Sequence, residues 1–301
     1  MLKAQAIDDV TGLINLTHLW TIDVTIFSPL PGPHCWQPSP LAAGPFAGLQ
    51  GGAVASLLTA EVEAMAADRD WGTAIGVTVW YLRPTPLAAL RTQPATVATG
   101  GRVTVVDNVL WPGDETQPCA MARVTLSRER QIAVAGLPDR SAKRIDPTLL
   151  PERTRRAPHG RPWFMDAMEA RAGDGMAWFR LRGPVVDGAG PLTGVLGPAD
   201  WTHGIDRPVE QAVADPNPNL TVHLFRNPVG EWIGIRPQTR WQASRGLGIG
   251  HGVLFDVEGE IGCVSMSVVL LPFPKSYSAN QAQPPLSRGT SPHRQLLRRN
   301  T

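Results

Sequence analysis

One phrase occurs twice in this chain, and it constrains what the rest can fold into. Val77 to Pro84 reads V-T-V-W-Y-L-R-P, and Leu220 to Pro228 reads L-T-V-H-L-F-R-N-P. Each copy is β-branched and aromatic and stops at a proline, which has no N–H to give a ladder. Each therefore reads as a strand that ends at a sheet edge. The two arginines, Arg83 and Arg226, stand about half the chain apart in 301 residues. Self-similarity at that spacing predicts two related units in tandem, and the length suits two domains of modest size.

The elements around each copy are also alike. Leu19 to Phe27 reads as an opening strand, followed by a proline-rich loop from Pro29 to Pro45. Gly51 and Gly52 then open a helix in which Val54, Leu57, Leu58, Val62 and Met65 recur at the three-and-four spacing of one buried face. Glu61 falls within that apolar stripe, and Glu63 points away from it. Strands are predicted near residues 75–83, 91–99, 102–111 and 120–127. The second half repeats this order, with strands at 163–172 and 176–182 and an irregular helical region over 191–214. That region contains Asp200, Trp201, His203, Asp206 and Glu210. Further strands are predicted at 220–226, 231–239, 246–256 and 261–271. One helix covers a long sheet only if the sheet curls around it.

Composition excludes several classes. At 43% hydrophobic and 18% charged, the chain has enough apolar material for packed cores and is not a disordered protein. Net charge is +2, but basic residues gather in 138–161 and in the tail from Lys275 onward, which leaves the remaining body net acidic. That distribution argues against a broad nucleic-acid face on the body. The first basic stretch reads as a linker and the Ser/Pro/Gln/Asn-rich tail as disordered. Cys35, Cys119 and Cys263 are far apart and show neither CxxC nor Cys/His spacing, so no disulfide framework and no zinc site is expected. The first residues lack the apolar core of a signal peptide, and no run reaches the ~20 apolar residues of a membrane span. The expectation is a soluble, cytoplasmic protein.

The order of strand, loop, long helix and antiparallel meander resembles the hotdog fold of acyl-CoA thioesterases. The stretch P-N-P-N-L-T-V-H-L-F-R-N-P-V-G-E-W-I-G-I, from Pro216 to Ile235, and D-V-E-G-E-I-G-C-V-S-M-S, from Asp256 to Ser267, resemble tandem-hotdog type II acyl-CoA thioesterases. This resemblance implies an α+β double hotdog, with two antiparallel curved sheets each wrapped around a central helix. The implied division is an N-terminal hotdog over 1–135, a linker over 136–160, a C-terminal hotdog over 161–274 and a tail over 275–301. The implied partner is an acyl-CoA or other acyl thioester, hydrolysed to free acid and CoA, with no metal and no cofactor. A homodimer is compatible with the resemblance.

Hydrolysing a thioester needs donors for the carbonyl oxygen and an activated water. Unpaired N–H groups at a helix start meet the first need, and Gly51 and Gly52 let a ligand approach the backbone closely. They also suit plain helix-to-sheet packing. The family draws a carboxylate, a hydroxyl and an amide from its second half. Matched residue by residue, these fall on Asn219, on Thr239 and near Met266 or Ser267, so only the threonine keeps its type. An asparagine orients a water but is no general base at neutral pH. The chain is thus either a working thioesterase or a catalytically impaired acyl-CoA or lipid binder. Glu61 is a candidate replacement base because desolvation on an apolar face raises a carboxyl pKa, and pairing with Arg83 is its alternative role. On the first role, Glu61→Gln abolishes turnover. A hydratase-like Asp/His group is confined to His203 with Asp200 or Asp206. The alternate glycines Gly246, Gly248, Gly250 and Gly252 suit a close neighbour on one strand face better than a nucleotide site.

Overall fold

The computed structural model describes residues 25–136, 144–154, 160–207 and 213–272. Most of the proposed opening strand, part of the basic stretch, Glu210 and the tail lie outside these described residues.

The first half runs β1 (Phe27–Pro29), β2 (Cys35–Pro38), α1 (Gly51–Asp68), β3 (Thr73–Tyr81), β4 (Leu90–Thr99), β5 (Val103–Pro112) and β6 (Ala120–Ser127). The second runs β7 (Met168–Gly173), β8 (Met176–Leu181), α2 (Pro191–Ala199), α3 (Thr202–Ile205), β9 (Val213–Ala214), β10 (Asn219–Leu224), β11 (Ile233–Pro237) and β12 (Arg240–Gln242). It closes with β13 (Leu247–Asp256), β14 (Gly259–Val269) and β15 (Leu271–Pro272). The main sheet has the order β1-β2-β4-β5-β6-β3-β10-β14-β13-β11-β8-β7, with β12 on β13, and β15 pairs β9 separately. Ordered by position around its helix, each half follows one path: first, second, fourth, fifth, sixth, third.

The expected pair of sheets is therefore a single antiparallel sheet. β3 and β10 meet edge to edge, with Val77 opposite Val222 and Thr78 opposite Thr221, so the two copies of the repeated phrase are hydrogen-bonded neighbours. Two strands with alternating inward Val and Leu need no loop between them to pair, and the pairing removes two exposed edges at once. Near the end of each copy the arginine holds an acid. Arg83 bonds Glu115 at 2.6 Å, and Arg226 grips the buried Asp256 with both terminal nitrogens. Asp256 also accepts from the Val229 and Glu258 amides.

The helices lie against each other on the buried side of this sheet, α1 mainly over β3 to β6 and α2 mainly over β8 and β11. On α1, Ser56 donates to the Thr193 carbonyl at 3.0 Å, Gly52 faces Leu196 and Gly197, and Glu63 faces Gly190. Rising numbers on α1 meet falling numbers on α2, so the two run antiparallel. Glu63, expected to face away from the core, is only 8% exposed because that side of α1 meets α2. In the second half a nine-residue helix carrying Pro198 near its end and the single turn of α3 stand where the first half has eighteen residues of α1. A proline inside a helix removes one bond and crowds the preceding turn, which favours an early stop. The spaced glycines act in packing: a Cβ on Gly250 would meet His203 and Met266, and one on Gly252 would meet Thr202, so α3 seats directly on β13.

Candidate functional site

The start of α1 and the end of α2 meet at a buried carboxylate. Asp200 caps the C-terminus of α2 and is 3% exposed. Its Oδ2 accepts from Gln50 Nε2 at 2.6 Å, and its Oδ1 accepts from Asn217 Nδ2 at 2.7 Å and from the Tyr81 hydroxyl at 3.5 Å. The Gly52 amide donates to it as well. Burial pushes the Asp200 carboxyl above its ordinary range, while the nearby His203 and the bonds from Asn217, Gly52 and Tyr81 pull the other way. The Tyr81 hydroxyl is raised well above its ordinary range by burial and by the Asp200 charge, so it stays a donor.

Each partner is placed by its element. Gln50 is the N-cap of α1: its Oε1 accepts from the Ala53 amide at 3.1 Å while its nitrogen holds Asp200, so one side chain ties the helix start to the carboxylate. Tyr81 ends β3, and its own amide donates to the Pro218 carbonyl at 2.9 Å. Asn217 precedes β10 and also donates to the Asn219 carbonyl. His203 lies on α3 with its Nδ1 3.0 Å from the Met266 sulfur. The glycines are needed here. A Cβ on Gly51 would lie 2.9 Å from Asp200 Oδ2 and 2.9 Å from the Tyr81 ring. With the Gly52 amide on Asp200 and the Ala53 amide on Gln50, the Gly51 amide has no partner among the described residues.

Of the residues singled out from sequence, Gly51 and Gly52 stand in this site. Asn219 and Ser267 are brought together elsewhere. The Ser267 amide donates to Asn219 Oδ1 at 2.8 Å and Asn219 Nδ2 donates to Ser267 Oγ at 3.4 Å, on the exposed side of the sheet. Met266 is buried beside His203. Thr239 makes no bond with either member of the pair, and its buried hydroxyl has no partner among the described residues. Glu61 forms a different network on the far side of α1. Its Oε1 accepts from Trp36 Nε1 at 2.9 Å and lies 3.0 Å from His34 Nδ1, and its Oε2 accepts from Asn108 at 2.9 Å. The alternative partner Arg83 is bound to Glu115 instead, because Arg83 lies beyond the end of β3 beside the β5–β6 turn. Asp200 itself entered the sequence reading only as a companion of His203. The signal for it was a lone acid closing a helix whose neighbour starts Gln-Gly-Gly.

Residues 131–271 match the family model of the acyl-CoA thioesterase C-terminal domain. That match spans a little under half of the chain. No curated protein matches its sequence. Among solved structures, it is similar to a hot dog fold protein of unknown function from Alicyclobacillus acidocaldarius. That match has 16% identity and a TM-score of 0.61 and covers 84% of this chain and 98% of the other. It is similar to the tesB protein of Mycobacterium avium subsp. paratuberculosis at 14% identity and a TM-score of 0.58, over 82% and 96% of the two chains. The acyl-CoA thioesterase II TesB2 of Mycobacterium marinum matches at 13% identity and a TM-score of 0.57, over 81% and 94%. At these identities the likeness carries the hotdog fold and not the chemistry. Among the described residues no helix is long and apolar enough to cross a membrane, and no group of side chains is arranged to hold a metal ion.

Proposed function

We propose that this chain is a tandem hotdog, with units over 25–135 and 161–272, that hydrolyses acyl-CoA to free acid and CoA at the Asp200 end of α1. The observation that carries this reading is a buried carboxylate of raised pKa set against a helix start that keeps one free amide. Asp200 takes a proton from water, and the oxygen of that water attacks the thioester carbon. The carbonyl oxygen gains the negative charge and is held by the Gly51 amide and the positive end of α1. The tetrahedral species then expels the CoA thiolate, and the proton held on Asp200 passes to the sulfur. Gln50, Asn217 and Tyr81 fix the carboxylate in the orientation that accepts the proton.

A second reading, an acyl-CoA binder without turnover, draws on the four donors gathered on Asp200, since each stabilises the charge and lowers its basicity. Thiol release and binding measured together over acyl-CoAs of graded chain length separate the two. Release with at least one chain length supports the enzyme, whereas tight binding without release selects the second reading.

A further inference from the structure

The face of β13 that meets α3 is bare where it passes the candidate site. Gly248, Gly250 and Gly252 alternate along it, and the pairing sets Trp241 opposite Gly248 and Pro237 opposite Gly252. The same register puts Thr239 opposite Gly250. Thr239 and Trp241 therefore share the inward face, while Arg236, Gln238 and Arg240 take the exposed alternate positions. The neighbours on this floor lead back to Asp200. A Cβ on Gly248 would lie 2.7 Å from the Trp241 ring, one on Gly250 would lie 2.8 Å from Met266 and 3.1 Å from His203, and one on Gly252 would lie 3.1 Å from Thr202. Thr202 and His203 follow Asp200 by two and three residues.

Two donors on this inward face have nothing to bind. The Thr239 hydroxyl and the Trp241 indole N–H are both shut off from solvent, and neither has a partner among the described residues. Trp241 packs on the main core. A buried polar group left unpaired is costly, and an apolar group of the same shape removes that cost. Two such donors on alternate residues of one strand, beside the candidate site, suit an acceptor that arrives with the ligand.

We propose that Thr239 and Trp241 bind an oxygen carried on the acyl chain, which makes the preferred substrate a hydroxyacyl- or oxoacyl-CoA. This rests on the acyl-CoA reading above. The substrate oxygen accepts from the Trp241 N–H, and the Thr239 hydroxyl donates to it or, where the substrate group is a hydroxyl, accepts from it. The unbranched side chain of Met266, packed on Gly250, is adaptable enough to yield to the chain. The pantetheine arm of CoA carries acceptor oxygens too, but it is polar and lies toward water, whereas both donors face the buried side.

The test compares kcat/KM and Kd for octanoyl-CoA with those for octanoyl-CoAs hydroxylated at successive carbons. At least one hydroxylated chain is expected to be favoured by about tenfold or more. Trp241→Phe keeps an aromatic ring and Thr239→Val keeps the branched shape, so each removes one donor and brings the preference toward one. Without ligand, Thr239→Val is expected to have a Tm at or above that of the wild type, because the hydroxyl it loses is unpaired. A lower Tm would show that the hydroxyl is already satisfied and overturns the proposal. Equal use of plain and hydroxylated chains by the wild type overturns it too. So does a loss in the variants that is the same for both kinds of chain, which assigns the donors to the pantetheine arm. Should Trp241→Phe fail to fold, Thr239→Val decides alone. In each of these failures, turnover or binding of octanoyl-CoA leaves the acyl-CoA reading standing, whereas no release and no binding with any chain removes both.

Discussion

Gly52→Ala tests how tightly the two halves are joined, because two opposing terms of known size meet at one atom. In a helix an alanine is ordinarily better than a glycine by about 0.5–1 kcal/mol, through lower backbone entropy in the unfolded chain. Here the added Cβ would lie 2.9 Å from the carbonyl oxygens of Leu196 and Gly197 and 2.9 Å from Gln50 Oε1, where ordinary contact begins near 3.4 Å. Two of those three atoms are α2 backbone and cannot swing aside, so the helices must part by about half an ångström. Overpacking of that kind costs about 1–3 kcal/mol, and set against the propensity gain it leaves a net loss of about 1 kcal/mol at mid-range. Gly194→Ala is the internal control: it lies mid-way along α2 with nothing within 4 Å of the added atom, so only the favourable term acts. Urea unfolding of both variants reads the difference. A lower midpoint for Gly52→Ala and a higher one for Gly194→Ala are expected. A Gly52→Ala protein as stable as the wild type would refute the close antiparallel joint.

Other expectations follow from the same geometry. Turnover should rise with pH through an apparent pKa above the ordinary carboxylate range, since burial raises Asp200 and only its ionised form accepts a proton; a rate already flat at pH 5 would contradict this. Glu61→Gln should keep its turnover while losing about 1–3 kcal/mol of stability. Glu61 lies roughly 15 Å along α1 from Gly51 at 1.5 Å per residue, and its partners His34, Trp36 and Asn108 belong to the fold. Abolished activity in a folded Glu61→Gln protein would return Glu61 to the mechanism. Burial works upward on Asp256, but Arg226 and the Val229 and Glu258 amides outweigh it and hold its carboxyl below the usual range. Its contribution to stability is therefore present above the unfolded-state pKa and lost as pH falls through the depressed folded value. Acid titration of stability should be steeper in the wild type than in Asp256→Asn, and identical slopes would count against the ion pair.

The sequence carried most of the architecture because sheet strands announce themselves by alternation. The helix opens at Gly51 and the strand over Ala120–Ser127 has its expected bounds, but the opening strand keeps only Phe27 in β1, β2 forms inside the stretch read as a loop, and the other expected strands shift by up to about five residues at an end. The union of two sheets was less legible, since nothing in V-T-V-W-Y or L-T-V-H-L says that the partner strand is the other copy. Periodicity placed Glu61 well but not Glu63, because an apolar stripe identifies one buried face and α1 has two. The candidate site was the least visible part. Gln50, Tyr81, Asp200 and Asn217 come from four separate elements and share no spacing. Motif order pointed instead to Asn219, which alternation along β10 sets on the side of Thr221 and His223, opposite the buried Leu220, Val222 and Leu224.

The most direct measurement compares kcat and KM of the wild type and Asp200→Asn on the same acyl-CoA. Asparagine preserves the shape at the start of α1 but cannot take the proton. The account predicts kcat lower by about 10²–10⁴-fold with KM little changed. A variant that turns over as fast as the wild type would show that the thioester is cleaved elsewhere.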